Sequence, residues 1–184
     1  MTSLPKRDID IRPVEKLIDA SKIANRVEQL GRQITRDYYG KDLVVIGVLK
    51  GCIVFLADLI RHIDLPLEVD FLSAASYTQG SIPDHTIEVF GAKPLALKGR
   101  HLLIVEGIVE TGRTAAEMVR HLEQLEPASI EFVTLLDKPT AHRCKVSVKY
   151  SGFSIGNEFV VGYGLDNTQK YRNLPFIGRV IDIR

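Results

Sequence analysis

The sequence predicts an α/β fold with a central, mostly parallel sheet flanked by helices. Three observations carry that prediction. Short apolar runs alternate with amphipathic stretches, in the order strand, helix, strand, helix, strand, the pattern of right-handed crossovers between parallel strands. One run, Asp42 to Val48, is apolar almost throughout and reads as a strand buried on both faces. Three turns rich in Gly, Thr, Lys or Pro, at Lys50, at Glu106–Thr114 and at Lys138, each follow a strand. In open sheets of this kind, ligands bind beyond the carboxyl ends of the strands, so these turns are expected on one rim.

Each element has its own signal. Residues 1–13 are polar and predict a loose lead-in. Ile23, Val27, Leu30, Ile34 and Tyr38 recur every three or four residues and predict one helical face, with Ser21 as N-cap and Gly40 as stop. Lys50-Gly51 makes a tight turn, and Ile53 to His62 is amphipathic. Leu67, Val69 and Phe71 alternate as a strand. Ser76 to Thr86 (SYTQGSIPDHT) has little to bury and reads as a mobile loop, with a short strand at Ile87–Phe90. Leu102–Val105 is the next strand. A helix lined by Ala115, Met118, Val119, Leu122 and Leu125 then stops before Pro127. Strands follow at Ser129–Leu136, Val146–Tyr150 and Phe159–Tyr163, with an extended tail near Arg179–Ile183.

Composition narrows the class. At 184 residues the chain is expected to form one domain spanning residues 1–184. A net charge of +1 offers no basic footprint, which disfavours extended binding to nucleic acid. Cys52 and Cys144 form no CxxC pair and read as reduced thiols of a cytoplasmic protein. His62, His85, His101, His121 and His142 lack zinc-ligand spacing. No apolar run approaches the ~18 residues of a membrane span, and Met1–Asp10 lacks a signal-peptide core. A soluble protein that is not exported and has no membrane partner is expected.

The chemistry concentrates in His101–Thr114, HLLIVEGIVETGRT. An apolar run ends in Glu106, and a Gly-Thr turn (Thr111, Gly112, Arg113, Thr114) opens a helix. Backbone N–H groups at such a turn, next to a helix N-terminus, suit a phosphate. Glu106 and Glu110 flank that anion site, a combination suited to a sugar phosphate with hydroxyls and a metal. Gly107 stands where a second acid could have been.

Four further stretches, GVLKGCIVFLADLIRHID (47–64), VDFLSAASY (69–77), LLDKP (135–139) and FVVGYGLD…KYRNLPFIG (159–178), resemble the bacterial-type hypoxanthine-guanine phosphoribosyltransferases, in order and at family-like spacing. The resemblance implies the type I phosphoribosyltransferase fold, with a small hood of N- and C-terminal segments and a mobile lid over about 76–86. It implies transfer of ribose 5-phosphate from phosphoribosyl pyrophosphate to a 6-oxopurine, with release of pyrophosphate and with Mg2+ as cofactor. Lys50 and Gly51 match the pyrophosphate loop, often built with a cis peptide before the Lys, and Arg172 matches a second pyrophosphate contact. Thr111, Gly112, Arg113 and Thr114 match the 5-phosphate cradle. Lys138 matches the donor to the purine oxygen, Phe159 the aromatic that stacks on the base, and Val160 the backbone at its edge. Asp166 matches a metal-linked acid near the base, and Glu106 a second metal and ribose acid. Ser76 and Tyr77 match the start of the lid. Similar proteins are homodimers or homotetramers.

The loop departs from the family pattern of Glu-Asp, two hydrophobics, then Asp. The second acid, which helps hold the ribose hydroxyls, is replaced by Gly107, and the third, the proton acceptor, is the longer Glu110. Reduced activity is one expectation from these changes. The alternative is a weak or inactive homologue serving as a purine-nucleotide sensor or partner subunit. A pyrimidine-type RNA-binding regulator is suggested only by Thr111–Thr114, and the Tyr171–Pro175 motif argues against it.

Overall fold

A computed structural model of the protein describes residues 13–77, 84–90 and 96–181. Its main sheet has six strands in the order β4-β3-β2-β5-β6-β7. These are β2 (Leu43–Leu49), β3 (Leu67–Tyr77), β4 (Asp84–Phe90), β5 (His101–Val109), β6 (Ser129–Asp137) and β7 (Val148–Ser154). All neighbouring pairs are parallel except β3 with β4, so one antiparallel strand edges five parallel ones.

Helices cover both faces, which is why β2 is apolar along its length. Ile23, Val27, Leu30 and Ile34 of α1 (Ala20–Asp37), with Phe55 and Leu59 of α2 (Ile53–Ile60), pack on Val45, Leu103 and Val133. On the other face Ala115, Met118 and Leu122 of α3 (Arg113–Glu123) meet Val44, Ile46, Leu102 and Phe132. Consecutive residues of one strand thus serve different cores. Burial of these side chains, at roughly 1.5–3 kcal/mol each, is the main stabilising term.

The hood expected from the resemblance is a three-stranded antiparallel sheet. It joins β1 (Val14–Ile18), β9 (Ile177–Val180) and β8 (Val160–Val161), in the order β1-β9-β8.

Several sequence expectations need correction. β5 continues through Glu106 and Gly107 to Val109, in register with β6, so the turn begins only at Glu110. Ser76 and Tyr77 are ladder residues of β3, paired with His85 and Asp84 of β4. The expected loop therefore loses both its ends to a hairpin, and residues 78–83 lie outside the described residues. The N-cap of α1 is Asp19 rather than Ser21, and α1 ends at Asp37, three residues before Gly40. β7 starts at Val148, and the expected strand at Phe159–Tyr163 shrinks to Val160–Val161. Val69 and Leu125, placed on core faces by periodicity, are exposed. The lead-in lies outside the described residues except for Pro13, as does the tail from residue 182.

Candidate active site

The carboxyl ends of β2 and β5 open into a cleft of ≈ 270 Å3. Leu49 and Gly51 form one wall, Glu106 and Ile108 the floor, and Glu110, Thr111, Gly112 and Thr114 the other wall. Two of the three expected turns thus share one cavity. The third joins it through an ion pair: Lys138, at the end of β6, donates from Nζ to Glu110 Oε1. Parallel pairing explains the convergence, because β5 lies between β2 and β6 and all three end on the same side.

The Leu49–Lys50 peptide is cis, as the resemblance implied for this loop. Lys50 is exposed, while Gly51 reaches the cleft. The opposite wall is the N-terminus of α3. Its N-cap, Gly112, has φ +75°, a left-handed backbone that glycine adopts without a Cβ clash. Thr114 and Ala115, in the first helical turn, line the cleft, where first-turn N–H groups have no intrahelical acceptor. The Gly-Thr turn thus opens a helix whose N-terminus borders the cleft, an arrangement suited to an anion.

Glu106 keeps some surface open to the cleft, yet burial pushes its carboxyl up to about 8. Its field also reaches Cys52, whose thiol is raised to about 12, first by its own burial and then by Glu106. Lys138 is only 4 % exposed, with its backbone N–H on Val109 O at 2.9 Å, whereas the Glu110 side chain is half open to solvent. The Glu110 carboxylate thus reaches from the cleft edge to the buried ammonium.

Other expected site residues lie elsewhere. Gly107 is buried and does not line the cleft. Arg172 donates to Gly164 O (2.7 Å) and pairs with Asp166 Oδ1 (2.7 Å), while Asp166 Oδ2 accepts from the Gln169 N–H (2.8 Å). Arg172 lines a second cleft of ≈ 380 Å3 with Val54, Asp58, Tyr163, Leu174 and Pro175. Phe159 is 58 % exposed, and Val160 is buried in the hood.

The residues that sequence reasoning missed lie in the strap after Lys138. Asp137 Oδ1 lies 2.8 Å from His142 Nε2, and the Arg143 and Cys144 N–H groups both donate to Thr111 O (2.9 and 3.1 Å). Two of these three contacts are made by backbone, so no side-chain pattern announces them. The Lys138-Pro139 turn was the only available cue.

A family model described as "Phosphoribosyl transferase domain" matches residues 13–168. Among similar curated proteins, the hypoxanthine-guanine phosphoribosyltransferase of Streptococcus pneumoniae is 42% identical over 169 residues, covering 92% of this chain and 93% of that one. The hypoxanthine phosphoribosyltransferase of Escherichia coli K12 is 42% identical over 170 residues, covering 91% and 96%. Among solved structures, a hypoxanthine phosphoribosyltransferase from Staphylococcus aureus superposes with a TM-score of 0.84 at 41% identity, over 91% of each chain. The chain belongs to the phosphoribosyltransferase family. These relatives are named as hypoxanthine and hypoxanthine-guanine phosphoribosyltransferases of bacteria.

Proposed function

We propose that this protein is a purine-salvage transferase, moving ribose 5-phosphate from phosphoribosyl pyrophosphate to hypoxanthine or guanine to give IMP or GMP and pyrophosphate. The observation that carries the reading is the shared rim, where the Gly51 loop, the Thr111–Thr114 cradle and the Glu110–Lys138 pair border one cleft.

Each part has a task. The cradle and the N-terminus of α3 hold the 5-phosphate, which fixes the sugar for attack. Lys50 and Gly51 take the pyrophosphate, with Arg172 as a further contact. Lys138 donates to the purine oxygen; adenine would present an amino group to the ammonium, donor facing donor. Phe159 stacks on the base beside Val160, and Ser76 and Tyr77 begin the lid. Glu110 accepts the proton that the imidazole ring loses as its other nitrogen bonds to the sugar carbon. When the base oxygen replaces Glu110 on Lys138, the carboxylate is released to take that proton.

A bound magnesium ion would supply positive charge against the pyrophosphate. The residues fit such an ion. Glu106 is a buried acid at the cleft floor, its carboxyl pushed up to about 8 by burial, and a cation beside it would favour the charged form. Magnesium bound with substrate phosphates needs only one or two protein carboxylates. Glu106 would hold it, with Asp166 as the second acid once Arg172 turns to pyrophosphate.

A cytoplasmic homodimer or homotetramer, folded as one domain, completes the proposal. No helix among the described residues is long and apolar enough to cross a membrane. A weakened enzyme or silent nucleotide sensor gains no support from the relatives, which are named as transferases. The test is magnesium-dependent formation of IMP or GMP from the base and phosphoribosyl pyrophosphate. Failure to consume either base at high protein concentration would overturn the reading.

A further inference from the structure

The Gly51 carbonyl oxygen sits in a slot between two other glycines. A Cβ placed on Gly107 would lie 2.8 Å from that oxygen and 3.0 Å from its carbon, and one placed on Gly164 would lie 2.5 Å from the oxygen. Real Cβ atoms do not approach backbone so closely, so any side chain at 107 forces the loop to move. The nearest side-chain atom to a Cβ at 107 is Leu165 Cδ2, at 3.0 Å. Gly107, Gly164 and Leu165 are all absent from the lining of the active-site cleft, whereas Gly51 is part of it. The oxygen is therefore turned away from the cavity. The Gly51–Cys52 peptide is trans, so the Cys52 N–H points opposite to that oxygen. A carbonyl oxygen facing the cleft would repel an anion; with the oxygen in the slot, the loop keeps that repulsion away from pyrophosphate.

We infer that Gly107 is a positioning residue for the pyrophosphate loop: with Gly164 it forms the slot that seats the Gly51 carbonyl oxygen. This rests on the proposed transferase reading for the identity of the anion. It reverses the meaning of the glycine that replaces the family acid. Position 107 does not open a gap beside the ribose; it takes up the backbone of the opposite wall. An acid at 107 and the present depth of the Gly51 loop exclude each other.

The experiment compares Gly107→Ala and Gly107→Asp with the wild type in the full-length chain. Calorimetry with magnesium pyrophosphate and separately with GMP, which carries no pyrophosphate, is read beside the kinetics. Both variants are expected to weaken pyrophosphate binding and raise KM for phosphoribosyl pyrophosphate by about tenfold or more. GMP affinity and KM for the base should stay within about twofold. The double variant Gly107→Ala/Leu165→Ala removes the nearest side-chain contact and keeps the carbonyl contact; it should show the same selective loss. A gain in pyrophosphate affinity or kcat/KM for Gly107→Asp would overturn the inference. So would equal losses for both ligands, or loss of the fold in the double variant. A wild type that binds pyrophosphate without turnover would sink the transferase reading, while the two affinities would still decide the role of Gly107.

Discussion

Glu110 and Lys138 form an ion pair in which a half-exposed carboxylate satisfies an ammonium that is almost entirely enclosed. The backbone of Lys138 is tied to Val109, so the pair closes the short distance between the ends of β5 and β6. An enclosed ammonium needs an acceptor at all times; on the proposed reading the keto oxygen of a base would take the place that Glu110 holds here. On that same reading, base recognition would thereby release the proton acceptor.

Removing the carboxylate should expose that coupling. Breaking an enclosed pair destabilises by about 3–5 kcal/mol, but the solvent around Glu110 screens part of this. Glu110→Ala is expected to lose about 1–2 kcal/mol in urea unfolding. Glu110→Gln keeps an acceptor for Lys138 but takes up no proton. It should retain most of the stability and lose on the order of 10²-fold or more in kcat.

Glu106 sets a pH dependence of the ligand-free protein. Its folded pKa, pushed up to about 8, lies above the ordinary carboxylate value of 4.5, so the native state holds the proton longer than the unfolded chain. The associated stability is complete below the unfolded value and declines as pH rises toward 8, with a slope of at most about 1.4 kcal/mol per pH unit. Glu106→Gln should flatten that decline in thermal melts between roughly pH 5 and 8. A wild type whose melting temperature is level across it would contradict the assignment.

Much of this site was legible in the sequence. Lys50, the Gly-Thr turn and Lys138 sit at strand ends, and a parallel sheet brings strand ends together; that inference needs only periodicity and topology. Burial on opposite faces was equally readable for β2, since Val44 and Val45 are both apolar and adjacent. What could not be read were contacts made by backbone. Gly107 looked like a missing side chain because its neighbour, the Gly51 carbonyl, has no residue type to betray it. Ser76 and Tyr77 read as loop because their ladder partners, His85 and Asp84, are polar and flank a Pro-Gly stretch. Leu125 shows the opposite error: its helical spacing was right, but α3 ends at Glu123 and leaves it exposed.

The strap after Lys138 gives another expectation. The Asp137–His142 contact pins the segment whose two amides hold Thr111 O. His142→Ala should loosen the cradle and weaken GMP binding by roughly three- to tenfold, the equivalent of one hydrogen bond. His142→Gln, which can still donate to Asp137, should recover most of that affinity by calorimetry.

The two thiols should differ in reactivity. Cys52 is buried with its pKa pushed up to about 12, while Cys144 is partly exposed. Thiolate is the reactive form, so iodoacetamide on the native protein should label Cys144 first and leave Cys52 unmodified until the chain unfolds. Peptide mass mapping reads the outcome.

The most direct measurement is product formation from hypoxanthine, phosphoribosyl pyrophosphate and magnesium, followed in parallel for the wild type and Lys138→Ala. The wild type should release IMP and pyrophosphate in equal amounts. The variant should show KM for hypoxanthine raised by about ten- to hundredfold, with binding of magnesium pyrophosphate retained. A wild type that forms no IMP, or a variant that handles hypoxanthine as well as the wild type, would contradict the account.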